Sequence, residues 1–126
     1  MHPRPLSGLR VLDLTRVLAG PYCTLLLADL GAEVVKVERP GTGDDARAFG
    51  PFLENGQSAY FASINRGKKS IALDLKEGAD RETFLALIDR ADVLVENFRA
   101  GTMQKLDLSA ETLCRRNPRL IYAALS

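Results

Sequence analysis

The stretch over residues 9–38 constrains the fold more than any other part of the chain. Residues 9–15 (LRVLDLT) form a β-rich apolar run, and residues 32–38 (AEVVKVE) alternate in the manner of a second strand. A single helix fills the space between them. Pro21 suits its first turn, and Gly31 suits the left-handed residue just past its end. Tyr22, Leu25, Leu26 and Leu30 recur at helical spacing and are expected to form the stripe that packs on a sheet. Strand, crossover helix and strand make a βαβ unit, and such crossovers join parallel strands lying side by side.

The same alternation continues. Residues 39–59 are rich in Pro, Gly and Asp and form a connection longer than most inside a compact domain, which reads as a functional lid rather than a spacer. Residues 70–75 (SIALDL) predict a third strand. A helix follows near residues 79–90 with Phe84, Leu85, Leu87 and Ile88 toward the core, and then a strand at residues 91–96 (ADVLVE). Ser109 is a plausible N-cap for a helix ending near Arg116, with Glu111 and Thr112 in its first turn, and RLIYAAL closes the chain as one more strand. The predicted fold is an open, doubly wound, Rossmann-like α/β domain over residues 1–126, with a mainly parallel sheet and helices on both faces. A chain of 126 residues can bury a core without disulfides or metals.

Composition excludes several function classes. The formal net charge is +1, with 26% charged residues and no long run of one sign, so neither nucleic acid nor a membrane surface is an expected partner. Asp13 and Arg16 break the first apolar run too early for a secretory segment or a bilayer span, which makes the cytoplasm the expected location. Cys23 and Cys114 have no C-x-x-C partner and no histidine nearby, and are expected as reduced, buried thiols without chemistry. The only histidine is His2, at a terminus expected to fray. Ser/His/Asp triads, Cys/His pairs and His-ligated zinc are thereby excluded, and no metal is expected.

In open parallel sheets, ligands bind in the crevice at the carboxyl ends of the strands. After the first strand come Arg16, Val17, Leu18, Ala19 and Gly20; after the second, Glu38, Arg39 and Pro40; after the third, Lys76; after the fourth, Asn97, Phe98, Arg99, Ala100 and Gly101. One edge therefore collects Arg16, Arg39, Lys76 and Arg99, with Lys105 a turn further on, and an anionic ligand fits it. The first turn is no dinucleotide fingerprint, because Gly20 stands alone and Pro21 has no N–H to give a phosphate. Phosphate at this edge would be held by arginine and lysine side chains, with the apolar turn Leu18-Ala19-Gly20 along an uncharged part of the ligand. Coenzyme A has both parts.

Each position also has a plainer reading. Arg39 could be a surface cation, Glu38 could pair with it or with a ribose hydroxyl, and Lys76 could be the solvated start of a loop. Asn97 could cap the next helical turn, and Phe98 could be core rather than a base-stacking platform. The basic run RGKK, residues 66–69, falls at the amino end of its strand and reads as a solvated or subunit-facing patch pointing away from the crevice.

Four blocks, GLRVLDLTRVLAGPYCTLLLADLGAEVVKVERPGTGDDAR, NRGKKSIALDLK, ADVLVENFRAG and NPRLIYAALS, resemble in order and spacing the amino-terminal part of the class III (CaiB/BaiF-type) coenzyme A transferases. That family includes formyl-CoA transferase, dicarboxylate CoA-transferases and α-methylacyl-CoA racemase. The resemblance implies an acyl-CoA and a small carboxylic acid as substrates and a homodimer of interlocked chains. It also implies that Leu18 and Ala19 lie along the CoA arm and that Arg39 meets the nucleotide end. Leu73, Asp74, Leu75 and Lys76 would line the adenosine side, Asn97, Phe98 and Arg99 would border the same cleft, and Lys105 would add a cation. Two positions depart from the family pattern: Ala100 stands where many relatives have proline, and Lys105 where some have arginine, which has a different phosphate geometry.

In those transferases an aspartate attacks the donor thioester, and CoA then passes through an aspartyl-CoA thioester to the acceptor acid. The resemblance places that aspartate beyond Ser126. Asp13, Asp29, Asp44, Asp45 and Asp74 do not match its motif, so no catalytic residue is assigned, and the chain is expected to be an inactive fragment of a longer enzyme. Two alternatives stand beside CoA transfer: a racemase acting on α-methylacyl-CoA, and a non-catalytic CoA- or nucleotide-binding module.

Overall fold

The computed structural model describes residues 3–126; His2 and the expectation attached to it lie outside the described residues. Five strands, β1 (Arg10–Asp13), β2 (Glu33–Glu38), β3 (Lys69–Ala72), β4 (Val93–Glu96) and β5 (Ile121–Ala124), form one parallel sheet in the order β3-β2-β1-β4-β5. The chain winds outward from β1 to β3, returns across the sheet, and continues from β4 to β5. That reversal between β1 and β4 is the topological switch point of a doubly wound sheet. Helices α1 (Ala19–Asp29), α2 (Ala59–Asn65), α3 (Gly78–Ile88), α4 (Thr102–Lys105) and α5 (Ala110–Arg116) make the connections. Of these, α2 and α4 were not read from the sequence.

Period-two alternation assigns the strand residues to opposite faces. Leu12, Leu14, Val37 and Leu94 point to the side covered by α3, α4 and α5, where Phe84, Ile88, Met103 and Leu113 complete a buried cluster. Phe84, Ile88, Leu94 and Leu113 are fully enclosed there, each worth about 1.5–3 kcal/mol of burial. Val11, Val34 and Val95 point the other way and pack with Ala28 of α1 and Ala32. This second cluster is smaller because the same face carries polar residues toward its carboxyl end: Asp13, Lys36 and Glu38 are all buried.

Helix α1 ends as its sequence predicts. Gly31 has φ +109, its N–H donates to the carbonyl of Ala28 at 3.0 Å, and the Ala32 N–H donates to that of Leu27 at 3.0 Å, the paired bonds of a Schellman C-cap. Its orientation differs from the expectation. Of the predicted stripe only Leu25 is buried, whereas Tyr22, Leu26 and Leu30 are about half exposed. The face on the sheet is Gly20, Pro21, Thr24, Leu25 and Ala28. Small residues win it because the helix sits close over β1, where a Cβ on Gly20 would lie 2.3 Å from Thr15 Cβ.

The Pro/Gly-rich connection is partly folded. Residues Asp45–Ala48 make a 3-10 turn capped by Asp44, Phe52 bridges to Ser58, and Ser58 caps α2 by accepting the Phe61 N–H at 3.1 Å. Ser109 caps α5 as expected, accepting the Thr112 N–H at 3.2 Å. Cys23 and Cys114 are unpaired thiols, and both are half-buried rather than buried. Among the described residues, no helix is long and apolar enough to cross a membrane, and no group of His, Cys, Asp and Glu could hold a metal ion.

Candidate functional site

A cleft of about 530 Å³ opens over the carboxyl ends of β1, β2, β3 and the residues after β4. Its apolar lining comes from Leu14, Val37, Leu73, Leu75, Phe98 and Leu106. Around this lie Arg16, Arg39 and Lys76, with the carboxylates of Glu38, Asp44 and Asp74. Among the described residues, neither Arg16 nor Lys76 is engaged in an ion pair. The Arg16 guanidinium lies 4.9 Å from the centre of the Phe98 ring, so Phe98 is both half-buried core and a stacking surface in the cleft. Arg39 bonds to Asp45 and donates to the Gly43 carbonyl at 3.2 Å, an exposed pair that water screens and a stronger anion can displace.

The turn between β1 and α1 is held by side chains. Asp13 accepts the Thr15 N–H at 2.8 Å, and Lys36 Nζ donates to the Thr15 carbonyl at 2.8 Å. Asn97 accepts from the Arg16 N–H at 2.9 Å and donates to its carbonyl at 2.8 Å. Asp44 Oδ1 accepts the Val17 N–H at 3.1 Å. Five successive backbone groups, from Thr15 N–H to Val17 N–H, are thereby occupied inside the protein. None of these five groups is left free for a ligand. Gly20 serves close packing instead, since only its missing Cβ lets α1 approach Thr15. Val17 has φ +74, a left-handed conformation that costs an L residue about 1–2 kcal/mol and is a true outlier for a β-branched one.

Glu38 is not free for a ribose. Its Oε1 accepts the Asp44 N–H at 2.8 Å and Arg47 Nε at 2.7 Å, while Oε2 accepts Arg47 Nη2 at 2.7 Å and the Ser70 hydroxyl. Burial alone would raise its pKa; the bidentate Arg47 bond and the other donors outweigh it and hold the carboxyl at about 2. The Arg47 guanidinium, kept charged by the same bonds, stacks on Phe61 with 3.9 Å to the ring centre and so ties the connection to α2. Gly43 passes so close that a Cβ would lie 2.7 Å from Glu38 Oε1.

The basic run at residues 66–69 is not uniformly solvated. The Lys68 side chain is 2% exposed, with Nζ 3.0 Å from Asp13 Oδ2, 3.0 Å from the Pro21 carbonyl and 2.8 Å from Asn65 Oδ1. Burial pushes its pKa down and Asp13 pushes it back up. The helix α2, absent from the sequence reading, turns this lysine under the sheet's polar face. Arg66 and Lys69 remain exposed, paired with Asp29 and Glu33.

Of the residues expected at the site, the cleft brings together Arg39, Leu73, Asp74, Leu75, Lys76 and Phe98. It does not take in Leu18, Ala19, Arg99 or Lys105, which are exposed, or Asn97, which lies behind the turn it clamps. Asn97 caps no helical turn, because α4 begins five residues later behind Gly101. Gly43, Asp44, Thr102 and Leu106 line the cleft and were not anticipated. The sequence signal for Gly43 and Asp44 was the Gly-x-Gly-Asp turn just after β2; Thr102 and Leu106 carried none.

The fold and this cleft define a doubly wound parallel α/β protein with an apolar, cation-rimmed cleft at the carboxyl ends of its strands. Over residues 6–126 the chain matches CoA-transferase family III, and it belongs to that family. It is 60% identical over 124 residues to the succinyl-CoA:mesaconate CoA-transferase of Haloarcula hispanica, which covers 95% of this chain and 31% of that protein. It is 53% identical over 122 residues to the acetyl-CoA:oxalate CoA-transferase of Acetobacter aceti, covering 97% and 31% respectively. A crystal structure of a CAIB/BAIF family protein from Brucella suis superposes with a TM-score of 0.90 at 45% identity, over 98% of this chain and 33% of that one. The chain thus spans about a third of the length of the relatives it matches.

Proposed function

We propose that this chain is the amino-terminal, CoA-binding part of an enzyme that moves coenzyme A from an acyl-CoA donor to a small carboxylic acid, and that the cleft at the switch point receives the CoA. The observation that carries this is the pairing of an apolar lining with cations left unpartnered, Arg16 and Lys76, beside the displaceable pair of Arg39. A phosphorylated nucleotide meets the cations, and the neutral pantetheine arm meets Leu14, Val37 and Leu73. Saturation of Glu38 by Arg47 and Ser70 opposes a nicotinamide dinucleotide, whose ribose an acidic residue at this position would otherwise bind.

In the whole enzyme an aspartate outside this chain attacks the thioester carbonyl, forming a mixed anhydride and releasing CoA thiolate. The thiolate attacks the aspartyl carbonyl, freeing the donor acid and leaving an aspartyl-CoA thioester, from which the acceptor carboxylate takes CoA by the reverse steps. This chain binds and orients CoA, and a homodimer of the whole protein completes the site. Calorimetric titration with CoA, with NAD as control and gel filtration of the same sample, tests the reading. Saturable binding of CoA and not NAD is expected; a folded sample that binds neither overturns it for this chain.

A further inference from the structure

We infer that Lys36 and Asp44, together with Asn97, are positioning residues that hold the β1–α1 turn in a left-handed conformation it would not keep by itself, and so shape the cleft for its ligand. The ligand part of this inference rests on the CoA reading; the conformational part does not.

The turn has no hydrogen-bond ladder of its own across Thr15, Arg16 and Val17. Its backbone is fixed by side chains from three other places in the chain: Lys36 from β2, Asp44 from the connection after β2, and Asn97 from the segment after β4. Lys36 and Asp44 are linked to each other, Nζ lying 2.9 Å from Oδ2, and both side chains are within 1% of full burial. That contact is electrostatic, since Asp44 Oδ2 has no hydrogen bond of good geometry among the described residues. The carboxylate is otherwise spent inward, with Oδ1 accepting from Val17 and Ala46. The pair thus acts on a ligand through the backbone it fixes.

A buried ion pair is poor at stabilising a fold, because desolvation offsets its attraction, and apolar residues of like volume can replace it at little loss. Its presence here coincides with a residue that needs holding. Val17, with φ +74, is β-branched, and a free turn would return it to negative φ. Such a relaxation would move the Arg16 side chain off Phe98, which now sits 4.9 Å away in the cleft wall. Held strain of this kind converts directly into affinity: when only a fraction of molecules has the competent turn, the apparent dissociation constant rises by the inverse of that fraction.

The test replaces the pair rather than breaking it. Lys36→Met/Asp44→Leu removes both charges together, so that neither is left buried and alone. Amide exchange is measured by NMR on the unliganded chain. Slow exchange at Val17 in the parent, at least about tenfold faster in the double variant while Leu94 in β4 keeps its rate, is the expected result. Equal Val17 exchange in the two proteins overturns the inference, and so does an equal acceleration at Leu94, which would make the pair a general stabiliser. CoA titration then reads the consequence. The double variant is expected to bind about tenfold more weakly, and adding Val17→Gly to recover affinity to within about twofold of the parent, since glycine enters the left-handed region as readily as the right. Unchanged CoA affinity in the double variant, or no recovery with Val17→Gly, overturns the positioning role. If the parent itself does not bind CoA, the CoA reading fails while the exchange comparison still decides the clamp.

Discussion

Replacing Glu38 by glutamine should cost stability at neutral pH and cost nothing in strong acid. Glu38 is 7% exposed, and its carboxyl is held at about 2 against an ordinary 4.5. Fully enclosed, a carboxylate displaced that far contributes about 3 kcal/mol at pH 7. The Arg47 side chain opposite is 41% exposed, so solvent screening reduces the expectation to about 2 kcal/mol. The folded-state pKa is the lower one, so unfolding takes up a proton between the two values. Stability from Glu38 is therefore complete above about 4.5 and is lost as the pH falls toward 2. Glutamine carries no such proton. Urea unfolding of the parent and of Glu38→Gln at pH 7, 5, 4 and 3 should show a gap of about 2 kcal/mol that narrows steadily below pH 4.5. A gap of the same size at pH 7 and pH 3 would refute the bidentate Arg47 bond as its source.

Three further outcomes are expected. Gly20→Ala puts a Cβ 2.3 Å from Thr15 Cβ and should lower unfolding free energy by about 1–3 kcal/mol in urea, whereas a neutral effect would mean that α1 is not seated so closely. Tyr22→Lys, on the half-exposed face of α1, should change stability by less than about 0.5 kcal/mol; a loss several times larger would restore the sheet-facing stripe predicted from spacing. Lys76→Met should flatten the dependence of CoA affinity on salt concentration, and an unaltered slope would leave this lysine a surface charge only.

Much of the architecture was legible. The strands were placed within a residue or three of their observed ends, the Gly31 cap and the Ser109 cap are as read, and Phe84 and Ile88 face the core. The strand-end rule picked Arg16, Arg39, Lys76 and Phe98, which line one cleft, without any coordinates. What failed was the reading of polarity as exposure. RGKK reads as a solvated or subunit-facing patch, yet the Lys68 side chain is 2% exposed, and within AEVVKVE Lys36 is 1% exposed. The leucines of α1 obey helical spacing, yet the small residues beside them take the sheet.

The sequence by itself determined the alternation of strand and helix, the parallel crossovers and the edge on which cations gather, because periodicity, caps and handedness are properties of neighbours along the chain. Only the tertiary structure decided the partners: Lys36 with Asp44, Lys68 with Asp13 across 55 positions, Asn97 with the Arg16 backbone across 81. A charge is buried only where its counter-charge arrives, and that arrival depends on how distant segments close on one another, which no local pattern records.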